Sequence, residues 1–290
     1  MLRDRLRNGI LLALALIAAM IFARGWGVLA VLLAISAVAH REFYMLLDAA
    51  RIPNFKVIGT LAGSGLIAAT WFSFLHPGAA GPEGGFTTAL FLAFLVVFAR
   101  QFHQRNNARP LDTMAGTLLG MIYIGFLLSF LARLLLAWGA NPDGRVLVFY
   151  MIVVVKICDV GAYFTGCRFG RHKLIPRISP AKSWEGCAGG VASAVAASLV
   201  FTLVLGGQVG PVRIPVSHAI LIGLGLGLIG ILGDLAESLL KRAAGVKDSG
   251  AMLPGLGGIL DVIDSLLPAA PVLYIYARHV LEPVAPVLMR

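Results

Sequence analysis

The chain has 290 residues, of which 59% are hydrophobic and only 13% charged, and its mean hydropathy is +0.88. A soluble domain carries roughly 25% charged residues to cover its surface, so these figures exclude a soluble globule and a disordered chain, and three cysteines without a Cys-x-x-Cys spacing exclude a disulfide-stapled secreted fold. The net charge of +10 lies in short basic clusters between apolar stretches, with no basic stripe interleaved with aromatics, which points to membrane orientation signals rather than nucleic acid.

What remains is an all-α, polytopic integral membrane protein. A helix needs roughly 20 residues to cross about 30 Å of hydrocarbon. In chain order the apolar runs predict about nine spans: 8–23, 25–40, 57–75, 86–99, 113–138, 146–165, 187–205, 218–240 and 261–283. Arg3, Arg5 and Arg7 ahead of the first run also fit a cleavable signal peptide, but the eight spans that follow favour an uncleaved first helix. Residues 1–290 read as a single transmembrane domain, with featureless apolar helices in 1–150 and the polar residues in 151–290. No transit peptide is apparent, so a bacterial plasma membrane is the expected location.

Loop charges alternate. With the N-terminus inside, 17 of the 24 basic residues fall in cytoplasmic segments, in clusters such as Arg41, Arg51, Lys56 and Arg168, Arg171, Lys173, Arg177, Lys182. The 76–86 loop on the opposite side has none. The excess of Lys and Arg therefore predicts a cytoplasmic N-terminus and an external C-terminus. Gly223, Gly227 and Gly230 in the eighth span read as close helix packing. The six histidines are expected at interfacial or loop positions, and the cysteines as small apolar packing residues.

Ionisable groups at membrane depth are costly and mark functional candidates. Lys156 and Asp159 lie three apart in the sixth span, and Asp234, Glu237, Ser238 and Lys241 form one stripe of the eighth. Arg242, Lys247 and Asp248 follow, then a Gly/Pro-rich turn and the pair Asp261 and Asp264. At 1.5 Å per residue, Asp159 is expected roughly 9 Å and Asp234 roughly 10 Å below the inner face. Four carboxylates from three helices are thus expected in one cytoplasm-facing cavity ringed by Lys and Arg. Clustered carboxylates repel each other unless a cation binds; hard oxygen ligands suit Mg²⁺, and the surrounding bases suit a polyphosphate. The residues alone point to metal-assisted phosphoryl or nucleotidyl transfer. Other readings stand beside this one: Lys156–Asp159 as a structural ion pair, Asp261 as a helix cap, and the 166–186 basic run as an orientation signal that attracts anionic headgroups.

Residues 238–265 contain Ser-x-x-Lys-Arg, then Lys247-Asp248, a Pro-Gly-x-Gly-Gly turn and two Asp three apart. This resembles the signature of the phosphatidate cytidylyltransferases (CDP-diacylglycerol synthases). Asp159-Val-Gly-Ala-Tyr-Phe, the 170–186 segment Gly-Arg-His-Lys-Leu-Ile-Pro-Arg-Ile-Ser-Pro-Ala-Lys-Ser-Trp-Glu-Gly, Gly233-Asp234-Leu-Ala-Glu-Ser and Arg41-Glu42-Phe43-Tyr44 are similar to the family as well. The resemblance implies that CTP and phosphatidic acid give CDP-diacylglycerol and pyrophosphate at a membrane lipid surface, without nucleic acid. It implies Asp234, Asp261 and Asp264 as ligands of Mg²⁺, with room for a second, monovalent cation. It further implies Lys241, Arg242 and Lys247 as phosphate-neutralising residues and Asp248 as support for the turn. Ser179, Lys182, Ser183 and Glu185 belong to the substrate-facing loop, with Ser238, Lys156 and Asp159 beside the substrates, and the resemblance suggests a homodimer. Leu256 stands where the family has His, Val262 where it has Arg, and Lys156 where a neutral residue is expected; Lys156 is the candidate to replace the missing charge. A transporter or ion relay built on intramembrane Asp and Lys is the rival reading, and a catalytically inactive relative is another.

Overall fold

The computed structural model describes residues 25–78, 81–138, 144–246, 249–250 and 258–284. The expected first span (8–23), Arg3, Arg5, Arg7, Lys247, Asp248 and Leu256 lie outside these residues. Eight described helices are long and apolar enough to cross a membrane. They are α1 Trp26–Ala49, α2 Lys56–Leu75, α3 Gly84–Phe102, α4 Pro110–Leu136, α5 Gly144–Phe169, α6 Trp184–Val204, α7 Val216–Ala243 and α8 Ile259–His279. The last has a turn at Asp264–Ser265 between helical segments Ile259–Ile263 and Leu266–His279. The protein is an all-α polytopic membrane protein, and the second to ninth expected spans each correspond to one of these helices.

Several helices outrun their apolar cores. The span expected at 25–40 continues to Ala49, and α5 continues past Thr165 to Phe169. Asp159 therefore lies about 15 Å, and Asp234 about 14 Å, along the helix from the C-terminal ends of α5 and α7. Helix ends are set by backbone geometry rather than hydropathy. Arg51, Gly206 and Gly245 have positive φ after α1, α6 and α7, and each helix closes with the paired N–H to carbonyl bonds of a Schellman turn, for example Val246 N–H to Lys241 O at 3.0 Å and Gly245 N–H to Arg242 O at 3.1 Å.

The chain forms two compact units. One comprises the described residues up to Arg133 together with Glu237–Leu267; the other comprises Leu134–Ala236 and the residues from Pro268. In the first unit, α1 to α4 pack around Leu66, Phe86, Ala93 and Met121. Close approach depends on glycine: a Cβ on Gly125 would fall 2.5–2.8 Å from the backbone of Gly63. Gly125 lies in a π-helical segment of α4, Met121–Phe126. The Tyr44 ring lies against Gly59 and Gly120, and its hydroxyl donates to Thr117 O at 2.9 Å. His40, expected at an interface, is instead fully buried in α1, with Nδ1 2.8 Å from Ser36 O. Buried Arg133 pairs with Glu83 and lies over the Phe86 and Phe130 rings at 4.4 and 4.8 Å.

In the second unit, α5 and α6 pack through small residues: Gly161 on Ser193, Thr165 on Gly189, and Cys158 and Ala162 on Gly190. Without a hydrophobic drive between helices in lipid, such contacts give van der Waals packing at close backbone distance. Gly223 and Gly227 of α7 abut α6 at Ala194, Val195 and Val191, as the glycine spacing predicts. The segment before α6, expected as a loop, contains an antiparallel hairpin of β1 Lys173–Ile175 and β2 Ser179–Ser183. A second small sheet orders β3 Gln208–Val209, β4 Val212–Arg213 and β5 Glu282–Pro283. Large apolar side chains such as Phe91, Leu92 and Val96 of α3 face outward, which suits contact with lipid rather than water.

Candidate functional site

In the second unit, α5, β2, the start of α6 and α7 enclose a cavity of about 480 Å³. This is within the size range of small-molecule sites. Asp159 and Tyr163 reach its wall from α5, Lys173 and Lys182 from the hairpin, and Asp234 from α7. Lys182 forms an ion pair with Asp234. Lys156 pairs with Asp159 at 3.3 Å, one turn away on α5. Ser183 lines the cavity, but its Oγ accepts the Gly186 N–H at 3.1 Å and so caps α6. Glu185, in the first turn of α6, accepts the N–H groups of Arg171 and His172 at 3.2 Å and lies 2.6 Å from His172 Nδ1. It therefore ties the 170–172 strand entry to α6. Ser179 sits opposite Ile175 in the hairpin. Two cysteines, exposed Cys167 and half-buried Cys187, also line the cavity, whereas Cys158 is buried.

The first unit holds a carboxylate cluster at the C-terminal end of α7 and the start of α8. Glu237 is fully buried, and a carboxylate oxygen of Glu237 lies within 4.8 Å of one from buried Asp264. Lys241 Nζ lies 2.5 Å from Glu237 Oε2 and 2.6 Å from Asp261 Oδ1. Asp261 Oδ2 accepts the Gly258 N–H at 2.7 Å and the Ser249 hydroxyl at 2.8 Å. Asp261 thus closes the first turn of α8 as a cap. Asp234 stands three residues before Glu237 on α7 and so shares its face. Ser238 is half-buried on the same helix and Arg242 is exposed.

The donor set can be tested against a hard divalent cation. Glu237 Oε1 is buried and receives no hydrogen bond from the described residues, and a buried acceptor left in this state is costly unless something cationic satisfies it. A shared Mg²⁺ with ligands at about 2.1 Å keeps its oxygens within roughly 4.2 Å of each other, which is compatible with Glu237 and Asp264 oxygens that lie within 4.8 Å. Two buried carboxylates therefore fit such an ion, and Asp261, with its oxygens already engaged by Lys241, Gly258 and Ser249, fits it less well.

Sequence reasoning did not single out Glu237 as a ligand, although it lies on the same stripe as Asp234. It also missed the contact of Glu42. This residue of α1 is 3% exposed, and its carboxylate accepts the N–H groups of Ile259 and Leu260 at 3.1 and 2.8 Å. Only its place in the Arg-Glu-Phe-Tyr segment hinted at a role.

The chain is 37% identical over 189 residues to the uncharacterized protein YnbB of Escherichia coli (strain K12), covering 64% of this chain and 61% of the relative. It is 41% identical over 167 residues to the phosphatidate cytidylyltransferase of Brucella suis biovar 1 (strain 1330), covering 58% of each. It is 33% identical over 280 residues to the phosphatidate cytidylyltransferase of Mycobacterium bovis (strain ATCC BAA-935 / AF2122/97), covering 93% of this chain and 86% of the relative. The chain thus spans about three fifths of the length of the first two relatives. The profile described as the cytidylyltransferase family matches residues 4–280, and the chain belongs to that family.

Proposed function

We propose that the protein transfers the cytidylyl group of CTP to phosphatidic acid at a bacterial plasma membrane, forming CDP-diacylglycerol and releasing pyrophosphate. The single observation behind the chemistry is the buried, unsatisfied Glu237 oxygen beside Asp264, where a divalent cation fits. Relatives named phosphatidate cytidylyltransferase support the substrates. In the proposed reaction an oxygen of the lipid phosphate attacks the α-phosphorus of CTP, the bond to the β-phosphate oxygen breaks, and pyrophosphate leaves with that electron pair. The nucleophile is already an anion, so positioning and charge neutralisation carry the rate rather than a strong general base.

Glu237 and Asp264 would hold Mg²⁺, whose role when bound is to neutralise phosphate charge. Lys182 and Lys173 on the cavity wall attract the nucleotide phosphates, and Asp159 holds Lys156 beside them. Lys241 fixes the geometry of Glu237 and Asp261, and exposed Arg242 draws the anionic headgroup toward the site. The charge bias of the loops supports a cytoplasmic N-terminus and a cytoplasm-facing site. The test is conversion of radiolabelled CTP into a lipid-extractable product by the purified protein with phosphatidic acid and Mg²⁺. Absence of product in both the presence and absence of Mg²⁺ rejects the reading, whereas uncoupled movement of ions across vesicles would favour a relay instead.

A further inference from the structure

A carboxylate from the far end of the sequence holds the turn that delivers Asp261 and Asp264. Glu42 of α1 is buried, and its two oxygens accept the first two N–H groups of α8, those of Ile259 and Leu260. Leu260 in turn accepts the Asp264 N–H at 3.0 Å. Two hydrogen bonds in series therefore connect Glu42 to the backbone of Asp264. The pocket for Glu42 is shaped by glycines: a Cβ on Gly250 would come 2.7 Å from its Oε1, and one on Gly258 would also strike its carboxylate. The first N–H groups of a helix have no partner within the helix. Glutamine at position 42 keeps one acceptor oxygen and puts an NH₂ donor in place of the other, so one of the Ile259 and Leu260 N–H groups would lose its partner and the start of α8 would be free to rotate. The Asp264 carboxylate would move with that rotation relative to Glu237.

We propose that Glu42 is a positioning residue: it sets the orientation of Asp264 toward Glu237 and so tunes affinity for the divalent cation without touching it. This rests on the metal reading given above. Outer partners of ligating carboxylates commonly change metal affinity by about 10–100-fold when replaced, which sets the scale expected here.

The experiment uses the full chain in detergent, without substrates. Thermal unfolding is followed during Mg²⁺ titration, and the half-saturating concentration for stabilisation is read. Parent protein is expected to show a saturable response, and Glu42→Gln to need at least about tenfold more Mg²⁺. Glu42→Asp, which keeps the charge and is one methylene shorter, is expected to fall between them. A purely structural role would lower the metal-free melting temperature of Glu42→Gln and leave the half-saturation point in place. Half-saturation points of parent and Glu42→Gln within twofold overturn the proposal, as does a parent without a saturable response. If Glu42→Gln does not fold, Glu42→Asp decides by the same twofold criterion. A parent that binds Mg²⁺ in this assay yet converts no CTP rejects the proposed reaction separately, because the thermal readout needs no turnover.

Discussion

The ammonium of Lys241 lies 2.6 Å from the Asp261 carboxylate while also contacting Glu237 at 2.5 Å, so one cation holds two acidic groups in place. Lys241 and Asp261 are 14% and 15% exposed, and Glu237 is fully buried. Removing the cation leaves two carboxylates facing each other in a poorly hydrated space. Breaking such a buried network from one side costs about 3–5 kcal/mol. Lys241→Met is therefore expected to unfold at a markedly lower temperature in detergent, with loss of CTP turnover. An unchanged melting temperature would show that Glu237 and Asp261 do not depend on this lysine.

Asp264→Asn is expected to behave in the opposite way. It removes a negative charge beside Glu237, and like charges in contact disfavour the folded state when no cation is present. The asparagine side-chain oxygen still accepts the Ser265 N–H that Asp264 Oδ1 takes at 2.5 Å. The metal-free variant is expected to melt at or above the temperature of metal-free parent protein, and a chelator that lowers the parent's melting temperature is expected to leave the variant unmoved. CTP turnover is expected to fall by at least about 10²-fold, the equivalent of about 3 kcal/mol of lost charge stabilisation. A chelator-sensitive melting temperature in Asp264→Asn would remove this residue from the metal set.

The second to ninth spans were legible because burial in lipid demands long apolar runs, and the stripe of Asp234, Glu237 and Lys241 was legible because helical spacing places them on one face. Partners across the fold were not. Glu42 and Leu260 are separated by 218 positions, and nothing in local spacing records their pairing. Lys241 is a phosphate-neutralising residue by resemblance, and its ion pairs with Glu237 and Asp261, 4 and 20 positions away, are seen only in the fold. His40 reads as interfacial because histidine usually is, yet Gly63 leaves room for its ring inside the helix packing. Asp261 carried two readings, ligand or cap, and its bonds to Gly258 and Ser249 give it the second role at least.

Lys156 stands where related sequences are expected to carry a neutral residue, and it pairs with Asp159 at 3.3 Å. Both side chains are about one third exposed, so the pair contributes at most about 1 kcal/mol to stability. If Lys156 supplies the positive charge that Leu256 and Val262 do not, Lys156→Met is expected to abolish CTP turnover while the protein melts within a few degrees of the parent. Near-normal rates in purified variant protein would reduce Lys156–Asp159 to a structural ion pair.

Cys167 and Cys187 offer a test of the cavity itself. Cys167 is exposed and Cys187 half-buried on its wall, next to Lys182 and Asp234, whereas Cys158 is buried between α5 and α7 with its thiol 3.7 Å from Gly227 O. Thiol reactivity requires access as well as thiolate character, so a maleimide is expected to label Cys167 first and Cys158 last. The adduct occupies space in a cavity of about 480 Å³, and labelling at Cys167 is expected to abolish CTP turnover. CTP with Mg²⁺ is expected to slow that labelling several-fold, while Cys167→Ser keeps turnover and becomes resistant to the reagent. Peptide mass spectrometry of labelled protein reads the site and rate directly. Labelling of Cys167 at the same rate with and without CTP would place the nucleotide outside this cavity.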